Sequence, residues 1–140
     1  NKISLIDELF LIYQDGRLIM RVATTEGVPV DKDIFGGMLT AVQQFLQDSF
    51  GDGAGKLKEL KYGDYKLLFE RGPQMYLVAI LSGEEPKSIR QKIRRALIIV
   101  WDIYGSYLKQ WDGSQNGLEG LKEVLISTIL RSKKEKDRGD

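Results

Sequence analysis

The chain has 140 residues, of which 42% are hydrophobic and 29% charged, as expected for one soluble globular domain. Its 21 basic and 20 acidic residues leave a net charge of +1, which argues against a general nucleic-acid-binding function. There is no cysteine and no histidine, so disulfides, thiolate nucleophiles and histidine bases are excluded, while carboxylate chemistry or a magnesium site stays open.

No segment is predicted to cross a membrane. The longest apolar run, Ala96–Trp101, is far shorter than the roughly 20 residues of a transmembrane helix. No signal peptide is visible, and we expect a cytoplasmic protein. Because the chain opens with Asn1 rather than Met, we also expect a fragment or processed product of a longer protein.

The first predicted elements form a β-hairpin. Two apolar runs, Asp7–Tyr13 and Arg17–Val22, flank the pair Asp15-Gly16, which is a strong signal for a tight turn between antiparallel strands. The next segment, Ala23–Val30, contains Gly27 and Pro29 and is predicted to be a loop.

An amphipathic helix is predicted over Asp31–Phe50, with Asp31 as its N-cap. Its apolar stripe consists of Ile34, Met38, Val42 and Phe45, widened by Leu39 and Leu46. Gly36 and Gly37 lie in its first turns, where each costs about 1 kcal/mol relative to alanine. We interpret them first as sites of close packing against the sheet; the alternative is a surface that a partner's backbone approaches.

Three further strands are predicted between residues 57 and 81, as a meander. The strands are Leu57–Tyr62, Tyr65–Glu70 and Met75–Leu81, with turns at Gly63-Asp64 and Arg71–Pro73. The last strand is almost entirely apolar, which is typical of a strand covered on both faces and therefore central in its sheet or at an interface.

Two helices are predicted to follow. The first covers Lys87–Gln110, with the stripe Ile89, Ile93, Leu97, Val100, Tyr104 and Leu108, broadened by Ile99, Ile103 and Tyr107. The second is short and amphipathic, with Leu118, Leu121, Leu125, Thr128 and Ile129 on its apolar side. We therefore expect one α+β domain over residues 1–130, with a five-stranded antiparallel sheet in the order ββα-βββ-αα. Residues 131–140 are charged throughout and are predicted to be a tail or linker.

Candidate contact residues lie on the two longer helices. Arg90, Arg94 and Arg95 make the start of the second helix basic; the simplest interpretation is a solvated face, and the alternative is contact with an acidic protein or anionic lipid headgroups. Trp111, at the end of that helix, either caps the core or anchors a partner. With Gly36 and Gly37, these residues form the predicted partner-binding set.

Two other patterns are interpreted as structural. The segment 51–56 (GDGAGK) lacks the Walker spacing and follows a helix instead of preceding one, so we expect a connection rather than a nucleotide site. The acidic residues Asp7, Glu8, Asp31 and Asp33 are predicted to be caps or solvated positions. No catalytic, cofactor or metal residue is assigned.

The order of elements and the hairpin Leu9–Ile19 (LFLIYQDGRLI) resemble the longin fold, a relative of the roadblock and profilin-like α-β-α sandwiches. Roadblock domains usually begin with an additional helix, which is not seen in this sequence. The resemblance implies a mostly non-enzymatic platform for protein contacts, often with small GTPases, dimer partners or membrane-associated complexes. It extends from Asp7 to about Leu130.

We therefore expect a non-catalytic regulatory or scaffolding module. The alternative is a small-molecule sensor of the PAS-like kind, which a cavity of roughly 300 Å³ or more between sheet and helix would favour; an enzyme is the third class. We also expect a homodimer or hetero-partner contact through a sheet edge or the glycine-bearing helix. Lys58, Glu59 and Lys61 are predicted to guard one edge. Peripheral membrane association is compatible with the sequence, and nucleic acid is not an expected partner.

Overall fold

The computed structural model describes residues 6–24, 32–49 and 56–130. Its elements are β1 Ile6–Tyr13, β2 Leu18–Ala23, α1 Lys32–Ser49, β3 Glu59–Tyr62, β4 Tyr65–Gly72, β5 Met75–Ser82, α2 Ile89–Leu108 and α3 Leu121–Leu125, followed by a π-helical turn, Ile126–Leu130. The predicted α+β class and ββα-βββ-αα order are confirmed. The predicted N-cap Asp31, most of the glycine-rich segment and the charged tail lie outside the described residues.

The five strands form one antiparallel sheet in the order β2-β1-β5-β4-β3. The predicted hairpin, β1 and β2, joins the predicted meander, β3 to β5, through the pairing of β1 with β5. The apolar strand β5 lies at the centre, and no residue in Met75–Leu81 is more than 2% exposed. The prediction that this strand is covered on both faces is therefore confirmed.

The helices lie on opposite faces of the sheet, because alternate side chains of a strand point to opposite sides. On one face α2 and α3 pack against Leu9, Leu11 and Leu77. On the other face α1 packs against Phe10, Val78 and Ile80, among others. The core therefore has two layers separated by the sheet.

The buried face of α1 differs from the predicted stripe. Its buried side chains are Phe35, Met38, Val42 and Leu46, whereas Phe45 is 38% exposed. Adjacent helix positions are about 100° apart, so the burial of Leu46 turns Phe45 toward the flank. The apolar spacing of the sequence is compatible with burial of either Phe45 or Leu46. The way α1 packs on the sheet decides that Leu46 is the buried one.

The six residues of the predicted α2 stripe are all buried, but Ile103 is 55% exposed and does not broaden it. The helix begins later than predicted, at Ile89, because Ser88 adopts a left-handed backbone conformation (φ 62°) that interrupts helical geometry. The hydroxyl of Tyr104, on α2, donates a 2.5 Å hydrogen bond to the Glu119 carbonyl in the connection after this helix. Burial, with the nearby carboxylates of Glu123 and Glu119, raises the pKa of Tyr104, which keeps this donor protonated.

Candidate docking surface

An apolar groove lies between α1 and the edge strand β3. Its volume is about 430 Å³, and its lining comprises Ile34, Gly37, Met38, Ala41, Val42, Leu60, Tyr62 and Leu67. Leu60 and Tyr62 belong to β3, and Leu67 lies on the neighbouring strand β4. We refer to this groove, together with the outer edge of β3, as the docking surface.

The groove exists because α1 packs on the inner strands while β3 extends beyond it. Leu60 and Tyr62, two residues apart, point to the same face as α1 and are 46% and 60% exposed. Gly37 and Ala41 are exposed on the adjacent flank of the helix. Large apolar side chains exposed beside small residues are typical of an interaction surface.

The glycines of α1 do not pack closely against the sheet. Among the described residues, a Cβ atom built on Gly36 or Gly37 would meet no atom within 4 Å outside its own stretch of helix. Our first interpretation of the glycine pair is therefore wrong, because the helix shows no close backbone approach there. The alternative, a surface open to a partner's backbone, stays a prediction, and Gly37 lines the groove.

The outer edge of β3 is unpaired within the described part of the chain, since β3 is the last strand of the sheet. The Phe69 amide donates to the Lys58 carbonyl at 2.9 Å, and these residues lie opposite each other in the register that continues through Leu60 and Leu67. In an antiparallel ladder such bonded pairs alternate with unbonded ones. The backbone groups of Glu59 and Lys61 therefore point outward, as expected for an edge guarded by charged side chains.

The arginines of α2 are on the other face, and two of them are engaged within the molecule. Glu70 is 4% exposed and accepts hydrogen bonds from Arg90 (2.9 Å) and Arg94 (3.2 Å). Arg90 also donates to the Lys58 carbonyl at 2.9 Å and lies 3.7 Å from the Glu59 carboxylate. The solvated-face interpretation is wrong for Arg90 and incomplete for Arg94, because a buried carboxylate requires partners.

Of the predicted basic residues, Arg95 is exposed at the surface. Trp111 is 6% exposed, and its indole N–H donates to the Ser114 carbonyl at 2.8 Å. Its ring lies 5.3 Å from that of Tyr13 and is covered by the Arg17 guanidinium at 4.8 Å. Trp111 therefore caps the core, and its prediction as a partner anchor is not supported by its burial.

The predicted interpretation of Asp7 and Glu8 as caps or solvated residues is also wrong. Glu8 is 4% exposed and accepts two hydrogen bonds from Arg21, at 2.7 and 3.1 Å. The Oδ2 atom of Asp7 is buried and has no hydrogen-bond partner among the residues that the structure describes. Burial raises the pKa of Asp7, and a hydrogen bond with Ser82 opposes part of that rise.

The six predicted contact residues thus lie in three places: Gly36 and Gly37 on α1, the arginines on the opposite face, and Trp111 in the core. Ala41, Leu60 and Tyr62 were not among the predicted contact residues; for the latter two, the four residues of β3 give only a short alternation of charged and apolar positions. Among the described residues, no group of acidic side chains is arranged to hold a metal ion. No helix in the same part of the chain is long and apolar enough to span a bilayer.

Fold and surface together define an α+β domain with one open, five-stranded antiparallel sheet and helices on both faces. The chain matches no protein-family model and no curated protein.

Proposed function

We propose that this domain is a non-catalytic regulatory or scaffolding module that binds a protein partner through the docking surface. One observation carries the proposal: Leu60 and Tyr62 are exposed on an edge strand whose outer side is unpaired within the described residues, next to the small residues of α1. An extended partner segment gains main-chain hydrogen bonds from such an edge, and a groove beside it provides selectivity for side chains.

The resemblance to longin and roadblock domains supports the same class of function. It adds small GTPases and membrane-associated complexes as partner classes. Separately from the resemblance, we propose a cytoplasmic site of action. The proposal itself depends on the exposed surface and does not require that resemblance.

A small-molecule sensor is the second candidate, and the volume of the groove favours it. The value of about 430 Å³ exceeds the roughly 300 Å³ expected of a ligand pocket. Two features favour a protein instead. First, the groove lies at the edge of the sheet with Tyr62 60% exposed, whereas small ligands are usually enclosed. Second, the outward-facing backbone groups of Glu59 and Lys61, unpaired within the described residues, can bond to a polypeptide.

Photo-cross-linking in cells tests the proposal. A benzophenone amino acid replaces Tyr62, and in a matched control it replaces Ser106, which is exposed on α2. We expect a discrete protein adduct from position 62, no such adduct from position 106, and loss of the first when Gly37→Arg blocks the groove. Absence of a protein adduct, together with a co-purifying metabolite that raises Tm only when the groove is open, would contradict the module and support the sensor.

A further inference from the structure

The edge strand β3 carries a self-complementary charge sequence, Lys58-Glu59-Leu60-Lys61-Tyr62. We propose that the docking surface binds a second copy of this chain, with β3 pairing antiparallel to the partner's β3 about a two-fold axis at Leu60. This inference rests on the proposed function, because it identifies the protein that occupies the same surface.

Backbone groups of β3 face β4 and face outward at alternate residues, and this alternation limits the registers in which two copies of β3 can pair. Only Glu59 and Lys61 direct their backbone groups outward, as the bonding of Lys58 to Phe69 establishes. Two copies can therefore exchange hydrogen bonds only where outward-facing residues lie opposite each other. That condition leaves registers centred on Glu59, on Leu60 or on Lys61.

The charges select one of these three registers. Centring on Glu59 places two carboxylates opposite each other, and centring on Lys61 does the same with two ammonium groups, which is destabilising. Centring on Leu60 places Glu59 opposite the partner's Lys61, and by symmetry Lys61 opposite the partner's Glu59. Glu59 and Lys61 then each form a backbone hydrogen-bonded pair with a residue of opposite charge in the second copy.

The side chains on the α1 side of β3 are also compatible with this register. Leu60 lies opposite the partner's Leu60, and Tyr62 lies opposite the partner's Lys58, a pairing that suits the face of an aromatic ring. Because Leu60 lines the groove, the apolar floor of the two grooves becomes continuous across the axis. This explains why a strand guarded by charges nevertheless exposes Leu60 and Tyr62.

The opposite edge of the sheet is a weaker candidate. On β2, the Ile19 carbonyl already accepts a hydrogen bond from the Gln115 amide at 3.1 Å, so the connection after α2 covers part of that edge. On β3, Arg90 donates to the Lys58 carbonyl, but that carbonyl faces β4, and within the described residues the outward-facing backbone groups of Glu59 and Lys61 form no hydrogen bond.

Charge reversal with analytical ultracentrifugation tests this pairing on the whole chain. We expect the wild type to dimerise reversibly between about 1 μM and about 1 mM. Glu59→Lys alone and Lys61→Glu alone each replace two attractive pairs with two repulsive ones, and we expect each to weaken dimerisation at least about tenfold. The double variant Glu59→Lys/Lys61→Glu restores opposite charges and should restore dimerisation.

Mixing the two single variants gives the sharpest result. Two copies of the same single variant place like charges opposite each other. A heterodimer of the two variants places opposite charges in both 59–61 pairs, so association should reappear on mixing. Circular dichroism confirms that each variant is folded. If Glu59→Lys does not fold, because Glu59 lies near Arg90, Lys61→Glu compared with wild type still decides the question, since it leaves Glu59 in place.

Three results would overturn the inference: a wild type that stays monomeric at about 1 mM, single variants that dimerise as tightly as wild type, or a double variant that does not recover. A monomeric chain that still gives a cross-linked adduct with another protein at position 62 would overturn this inference alone and leave the proposed function intact. An adduct containing only a second copy of the chain would support both.

Discussion

At the scale of single residues, the buried carboxylates determine which arginines are structural. Arg90 contacts Glu70 and the Lys58 carbonyl, whereas Arg95 is exposed on the same helix. We expect Arg90→Met to lower the free energy of unfolding by about 2 kcal/mol, because Glu70 loses one of its two charged partners while staying buried. Urea unfolding measures the change.

Arg95→Met is the matched control for Arg90→Met, with an expected change within about 0.5 kcal/mol. Equal losses in the two variants would contradict a structural role specific to Arg90. A large loss for Arg95→Met alone would show that the described contacts do not explain the stability of this helix.

The Asp7 carboxyl makes stability depend on pH. Burial raises its pKa above the ordinary value of 3.8, so the folded state binds this proton more tightly than the unfolded state. The contribution to stability is complete below pH 3.8 and is lost as pH rises through the folded pKa. We therefore expect Asp7→Asn to be more stable than wild type at pH 7, with the difference shrinking as the pH falls.

Urea unfolding of both proteins at several pH values between neutral and mildly acidic measures this difference. Asp102→Asn, at an exposed position of α2, serves as the control and should show no such trend. A constant difference for Asp7→Asn across the range would mean that the carboxyl does not titrate as the burial of Oδ2 implies.

At the scale of elements, the glycines of the helix α1 and of the connection after α2 should respond oppositely to alanine. Gly36 has open space at its Cβ position, so Gly36→Ala should stabilise the protein by about 0.5–1 kcal/mol through helix propensity. At Gly117 a Cβ would lie 2.5 Å from the Tyr107 ring. We expect Gly117→Ala to destabilise the protein by about 1–3 kcal/mol.

Thermal unfolding of the two alanine variants beside wild type gives the signs directly. A destabilising Gly36→Ala would indicate that a neighbour approaches α1 at this position after all. A neutral Gly117→Ala would indicate that the Tyr107 ring moves aside, although its hydroxyl donates to the Ser114 carbonyl at 2.9 Å.

At the scale of the whole molecule, protection of the backbone should decrease from the centre of the sheet to the β3 edge. The amides of Leu77–Ile80 lie in the fully buried strand β5 and should exchange only on global unfolding. In β3 the amides of Leu60 and Tyr62 face β4, whereas those of Glu59 and Lys61 face outward. We expect slow and fast exchange to alternate along this strand in dilute solution.

Hydrogen exchange followed by NMR resolves this alternation residue by residue. Raising the concentration should slow exchange at Glu59 and Lys61 if β3 pairs with a second copy, and should leave Leu77–Ile80 unchanged. The proposed register requires the Leu60 amide to face β4 and the Lys61 amide to face outward. Fast exchange at Leu60 with slow exchange at Lys61 in dilute solution would contradict that arrangement.

The candidate site was only partly predictable from sequence. Gly36 and Gly37 were noticed because glycine is unfavourable inside a helix, and Gly37 does line the groove. Leu60 and Tyr62 were missed because a four-residue strand shows too little periodicity to indicate which face is covered. Arg90 and Arg94 were assigned to a surface because their partner, Glu70, is distant in sequence.

The sequence by itself determined the order of strands and helices, the central strand β5 and the buried stripe of α2, because these depend on local apolar periodicity and turn residues. Only the tertiary structure decided which side of α1 faces the sheet, which carboxylates are buried, and that β3 projects beyond the helix to form a groove. Those features depend on contacts between residues far apart in the chain. Local patterns do not specify such contacts, since several dockings can bury similar apolar areas.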